Sequence, residues 1–248
     1  MLIKSQVKYI QSLSQKKFRD DEGLFVAEGP KIINDLLAGN QVLMHSLFAT
    51  EEWLSANRSV LPASASSVTH TISHQELERI SFLTTPNEVL AIFRKPLFEF
   101  PSNSVDSLIL LLDNIQDPGN LGTIIRCADW FGIRHVICSP GSADQFSPKV
   151  VQSTMASIAR VGVHHAALAS FLEARPGTPV YAAALEGKSL DQYKSVDRGI
   201  LVIGNESKGI SSEVMAFATE CITIPRRGKA ESLNAAVATG IILSHLVG

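Results

Sequence analysis

The stretch DNIQDPGNLGTIIRCADWFGI, residues 113–133, follows the aliphatic run LILLL at 108–112 and reads as buried strand, sharp turn, then helix. Gly119 and Gly122 permit unusual dihedrals or the close approach of another group, and Asn120 between them suits a turn or cap position. In that register Arg126 falls within the helix's opening turns. A cation there opposes the positive end of the macrodipole, at a cost of roughly 0.3–1 kcal/mol. Its neighbours Ile124, Ile125, Cys127, Ala128 and Trp130 are mostly core material. The guanidinium must therefore emerge at the rim of a buried sheet, near the carboxyl ends of strands, where open α/β sheets bind ligands. A structural ion pair with Asp113, Asp117 or Asp129 is the plainer alternative.

The same grammar extends outward. Apolar runs at 24–27, 42–49, 89–93, 108–112, 135–138, 180–184, 200–203 and 221–224 alternate with helical patterns, which predicts an α/β protein with a largely parallel sheet. Composition breaks at KPLFEFPSNSVDS, residues 95–107. The expected organisation is a first domain over 1–97, a linker over 98–107 and a second domain over 108–248. Among 248 residues 45% are hydrophobic and 19% charged, enough apolar material for one large core or two small ones. A net charge of −2 points to no partner, so a nucleic acid has to be argued from local patches. Cys127, Cys138 and Cys221 lack disulfide or zinc spacing and suit a reducing cytoplasm. The polar amino terminus is no signal peptide, and no apolar run is long enough for a membrane span.

Two later segments repeat the pattern of strand followed by polar loop. ILVIGNESKGIS (200–211) ends a strand in Gly204, Asn205 and Glu206, and CITIPRRGKAESLNAAVATG (221–240) ends one in Pro225 before a helix for which Ser232 is the expected N-cap. Asn120, Arg126, Glu206, Ser232 and Asn234 thus make a set rich in hydrogen-bonding groups and poor in nucleophiles. GNLG lacks the GxGxxG order, GNESKGIS lacks the phosphate-loop lysine, and His164 and His165 lack triad or metal spacing. Lys4, Lys8, Lys16, Lys17 and Arg19 precede any acid. They read as a phosphate-binding face or as a solvated helix.

NIQDPGNLGTIIRCADWFGI, VIGNESKGIS and IPRRGKAESLNAAVATGI resemble, in order, the three signature motifs of the SpoU (TrmH) family of RNA ribose 2′-O-methyltransferases, within the SPOUT superfamily. KYIQSLSQKKFRDDEGLFVAEGPKIINDLLAG and ISFLTTPNEVLAIFRKP are similar to the small α/β domain, akin to the L30e/L7Ae ribosomal proteins, that binds RNA in many of these enzymes. The resemblance implies an α/β domain with a trefoil knot, S-adenosylmethionine (SAM) as cofactor, a homodimer, and structured RNA as substrate, ribosomal RNA before transfer RNA. It implies that backbone around Gly204, Ile224 and Leu233 holds the cofactor, and that Asn120, Arg126, Glu206, Ser232 and Asn234 form the catalytic centre. One departure is SPKVVQSTMASIARVGV (147–163), with Thr154 and Met155 where relatives often carry a Ser-Ala-Gly-like run.

Lys16, Lys17, Arg19, Arg226 and Arg227 are the expected RNA contacts, and no metal is expected. Arginine stays protonated in proteins. Arg126 is therefore expected to hold a phosphate bidentately and stabilise developing alkoxide, with phosphate-assisted action as the base the alternative, and in the empty enzyme to pair with Glu206. Leu233, Val237, Gly240, Ile241 and Ser244, at helical spacing, suit either a second subunit or the chain's own core. Trp53 and Trp130 are read as packing residues. The rival function is a noncatalytic RNA-binding protein on the same scaffold.

Overall fold

Runs such as LILLL become strands because a fully buried strand can be apolar on both faces. The structure, a computed structural model, describes residues 2–247. Its first part contains α1 (Lys4–Ser12), α2 (Lys16–Glu22), β1 (Leu24–Glu28), α3 (Pro30–Gly39), β2 (Met44–Ala49), α4 (Glu51–Ala56), β3 (Thr69–Thr71), α5 (His74–Glu78) and β4 (Val89–Arg94). Then come β5 (Leu108–Asp113), α6 (Pro118–Trp130), β6 (His135–Cys138), α7 (Pro148–Thr154), β7 (Gly162–His165) and α8 (Leu168–Glu173). The chain ends through β8 (Val180–Ser189), β9 (Gly199–Gly204), α9 (Ser212–Met215), β10 (Glu220–Thr223) and α10 (Ala235–Leu246). Two compact units result, Met1–Leu97 with Asp144–Ala159, and Phe98–Ala143 with Arg160–Gly248.

The first unit carries a four-stranded sheet in the order β1-β4-β2-β3. Strand β4 runs antiparallel to both neighbours, and only β2 and β3 are parallel. The expectation of a largely parallel sheet fails here, because apolar runs report burial and carry no direction. Leu13, Leu24, Val26, Leu77, Leu90 and Ile92 fill the core. Buried Glu28 accepts hydrogen bonds from the Ser81 hydroxyl (2.5 Å) and the Phe82 amide (2.7 Å), pinning the turn before β4. Burial raises its carboxyl above the ordinary value.

Arg19 requires a correction. Far from facing RNA, it is 2% exposed, donates to the Leu13 carbonyl at 2.7 Å and pairs with Asp144. The Lys-Arg run told of charge but not of the carboxylate 125 positions away that neutralises it. Asp144 begins the later segment that belongs to this unit. There α7 packs on β1, and Phe146 lies 5.4 Å from the Phe25 ring. Met155 and Ala156 adopt φ of 48° and 71° in the same segment, a left-handed conformation that glycine adopts without the steric cost a Cβ brings.

The second unit holds a six-stranded sheet in the order β10-β8-β9-β5-β6-β7, parallel throughout. Leu110, Leu111 and Leu112 of β5 are fully buried near its centre. Helices α6 and α10 pack together, and a Cβ on Gly240 would meet the Cys127 sulfur at 3.6 Å.

Helix α6 starts earlier than its glycines suggest. Asp117 is the N-cap, accepting from the Asn120 amide at 2.8 Å, and Pro118 takes the first turn. Arg126 is therefore the ninth of thirteen residues. The macrodipole acts within the first or last turn, so the expected penalty does not apply. In α10 the N-cap is Asn234 rather than Ser232. Asn234 accepts from the amides of Ala236 (3.0 Å) and Val237 (3.2 Å).

Candidate active site

Parallel strands deliver their carboxyl ends to one edge. Asp113 of β5 lies opposite Gly204 of β9 in the register, so the loops that follow them emerge side by side. From these loops and the starts of α6 and α10, three of the five expected polar residues meet. Asn234 Nδ2 donates to Asn120 Oδ1 at 2.7 Å, and Asn120 Nδ2 donates to Glu206 Oε1 at 2.5 Å. The amide orientations follow from one another. Asn234 Oδ1 faces the two helix amides it caps, so its nitrogen points to Asn120, which presents oxygen to Asn234 and nitrogen to a carboxylate.

Arg126 and Ser232 stand outside this relay. Arg126 is exposed and has no hydrogen bond or ion pair among the described residues. The expected pairing with Glu206 is absent because Asn120 takes that carboxylate. Six residues from Asn120 along the helix, Arg126 is displaced by roughly 9 Å of axial rise. Nor does it pair with an aspartate: Asp113 accepts from the Ser211 amide, Asp117 caps α6, and Asp129 holds Arg160 at 2.8 Å. Ser232 is exposed on the 225–234 loop and makes no hydrogen bond among the described residues.

Around the relay, Gly204 is where a side chain is forbidden. A Cβ there would fall 2.3–2.6 Å from the backbone of Gly209 and Ile210. Ile224 is half-buried, and Leu233 is 46% exposed. Lys16, Lys17, Arg226 and Arg227 are exposed, and Arg226 donates to the Ala230 carbonyl at 3.3 Å.

Trp53 is 2% exposed, a packing residue as expected, whereas Trp130 is 83% exposed. Trp130 follows Arg126 by one turn on the outer face of α6, where helical geometry puts i and i+4 together. On α10, Val237 (50%) and Ile241 (37%) are also exposed.

The remaining reactive side chains do not join the site. Burial pushes the Cys138 thiol up to about 12. Burial lowers His135 and His164. Among the described residues no group of three or more His, Cys, Asp or Glu could hold a metal, and no helix is long and apolar enough to cross a membrane. Asp117, Asn205 and Asp113 were not among the expected site residues. The Asp-Pro pair before α6 was the available signal for the first.

Comparison with known proteins bears on this geometry. Residues 107–244 match the model of the SpoU rRNA Methylase family, and residues 4–91 match an MRM3-like substrate binding domain. A 23S rRNA (guanosine(2553)-2'-O)-methyltransferase of Bacillus subtilis (strain 168) is 30% identical, covering 98% of this chain and 96% of its own. A TrmH-family protein of Porphyromonas gingivalis has a solved structure that superposes with a TM-score of 0.83 at 42% identity, over 98% of this chain and 97% of that one. An AdoMet-bound rRNA methyltransferase of Sinorhizobium meliloti gives 0.84 at 29% identity, over 98% and 94%. The parallel sheet, the relay drawn from three separate turns and these matches agree: an α/β SPOUT methyltransferase domain follows a small substrate-binding domain, and the chain belongs to the SpoU rRNA methylase family.

Proposed function

We propose that this chain transfers a methyl group from SAM to a ribose 2′-hydroxyl of structured RNA, ribosomal RNA first and transfer RNA as the alternative. The observation that carries the reading is the Asn234–Asn120–Glu206 relay beside the end of β9. Such a relay orients groups without offering a nucleophile, and alignment is what an in-line displacement needs.

The residues present fit SAM. Gly204 leaves only main chain at the strand end, while half-buried Ile224 and exposed Leu233 add apolar surface. These groups include no cation to oppose a positively charged sulfur. Bound there, SAM supplies an activated methyl group. Asn120, held at both ends of its amide, positions the ribose, and Glu206 fixes Asn120 in turn. Ser232, which makes no hydrogen bond among the described residues, serves the acceptor side together with Asn234. Arg126 remains charged and holds a phosphate near the target ribose. Lys16, Lys17, Arg226 and Arg227 add backbone contacts.

In this reading residues 1–97 bind the substrate, 98–107 link, and 108–248 transfer the methyl group, in the cytoplasm. Calorimetric titration with SAM or its demethylated product tests the cofactor: saturable binding is expected, and none to either sinks the assignment. Mapping 2′-O-methyl positions in RNA from cells with and without the protein distinguishes ribosomal from transfer RNA, and no lost position favours the noncatalytic rival.

A homodimer belongs to the same proposal. Trp130 on α6 and Leu233, Val237 and Ile241 before and on α10 are exposed large apolar residues of two helices that pack together, and contiguous exposed apolar area marks interaction surfaces. A twofold contact would bury the same patch on both copies, with Arg126 at its margin. Equilibrium sedimentation is expected to give twice the 26.8 kDa chain mass. Val237→Asp with Ile241→Asp is expected to give monomers, and an unchanged dimer places the contact elsewhere.

A further inference from the structure

We propose that Asn205 is a positioning residue, one side chain that both folds the loop carrying Glu206 and fastens that loop to the end of β5. The proposal rests on the role given to Glu206 above.

The loop after β9 has little regular structure to hold it. Asn205 and Gly209 exchange backbone hydrogen bonds at 3.0 and 2.8 Å, with Gly209 at φ +70°. Inside that closed turn, Asn205 Oδ1 accepts from the amides of Ser207 (2.9 Å) and Lys208 (3.1 Å). With the oxygen so engaged, the nitrogen must point away, and it donates to the Asn114 carbonyl at 2.9 Å.

Asn114 is itself fixed. It sits at φ 57°, and its amide donates to Ser139 Oγ at 2.8 Å, joining the ends of β5 and β6. Buried Asp113 secures the far end of the loop by accepting from the Ser211 amide at 2.8 Å. Glu206 therefore leaves a loop anchored at both ends, aimed at Asn120. Only Asn205 among the anchors is adjacent to it and serves turn and tether together. An aspartate there keeps the acceptor for Ser207 and Lys208 but sets a carboxylate oxygen against the Asn114 carbonyl, so the tether alone is lost.

A double-mutant cycle separates positioning from mere support. Methyl transfer is measured on ribosomal RNA from cells lacking the protein, with kcat and KM resolved. Asn205→Asp is expected to lower kcat by roughly 10–100-fold, the scale of a displacement near one ångström, with little change in RNA KM or melting temperature. In a Glu206→Gln background the same change is expected to cost less than about twofold. Equal cost in both backgrounds, or no cost in the first, overturns the proposal.

A second readout needs no turnover. The side-chain amide resonance of Asn120 reports its bond to Glu206, and Asn205→Asp is expected to shift it in the direction that Glu206→Gln does. An unshifted resonance overturns the proposal even for a chain that methylates nothing, whereas the absence of methyl transfer by the unaltered protein counts against the proposed function instead.

Discussion

Arg126→Ala is expected to lower methyl transfer to RNA by about 10²–10³-fold and to leave SAM affinity and folding near their original values. The magnitude is that of removing one donor aimed at developing charge. The selectivity follows from where the side chain sits. Arg126 is exposed, makes no hydrogen bond or ion pair among the described residues, and lies beyond the Asn234–Asn120–Glu206 relay on its own helix. Its removal strands no buried partner, so stability should move by no more than about 0.5 kcal/mol. Beneath it Ile124, Ile125 and Ala128 keep α6 packed. Arg126→Lys retains the charge but not the planar fork, and is expected to recover only part of the loss. Single-turnover kinetics with labelled SAM, alongside calorimetry, makes the measurement. Full activity in Arg126→Ala removes the arginine from the mechanism, and loss of SAM binding with it moves the arginine to the cofactor.

That arginine also marks how far sequence carried. Its exposure was legible, since a cation among core residues has to face something outside the fold. Its electrostatic setting was not. Gly119 and Asn120 drew the helix start towards them, while Asp117 as cap and Pro118 behind it place the start earlier and put Arg126 past the helix's midpoint. Strands were legible where aliphatic residues run together, as in β5 and β9. They were missed where they do not: β3 is Thr-His-Thr, and β7 is Gly-Val-His-His at the end of its sheet. An edge strand needs less apolar surface and leaves a weaker trace.

The relay was legible as a set of residue types and invisible as a set of bonds. Which amide meets Glu206 depends on contacts 86 and 114 positions apart. Trp130 shows the same limit on the apolar side. Hydrophobicity alone assigned it to the core, yet its position on α6 turns it outward and leaves it 83% exposed.

Asp144→Ala is expected to produce the largest loss of stability of any single change considered. Arg19 is 2% exposed, and Asp144 is the carboxylate that balances it. Arg19 is buried and Asp144 partly so, and taking away the carboxylate leaves the buried guanidinium without its countercharge, at a cost of up to about 3–5 kcal/mol. The Leu13 carbonyl still accepts one guanidinium hydrogen bond, which satisfies one donor but supplies no countercharge. The damage is directed at the start of the 144–159 segment, whose α7 and Phe146 pack against β1 and Phe25. A lower melting temperature, by roughly 10 °C or more, is therefore expected together with early hydrogen exchange through α7. Replacing both partners, Arg19→Met with Asp144→Leu, is expected to recover most of the loss, because an apolar pair of similar volume pays no desolvation cost. If Asp144→Ala melts like the unaltered chain, Asp144 is not what stabilises the Arg19 charge, and the place of Arg19 among the RNA contacts is open again.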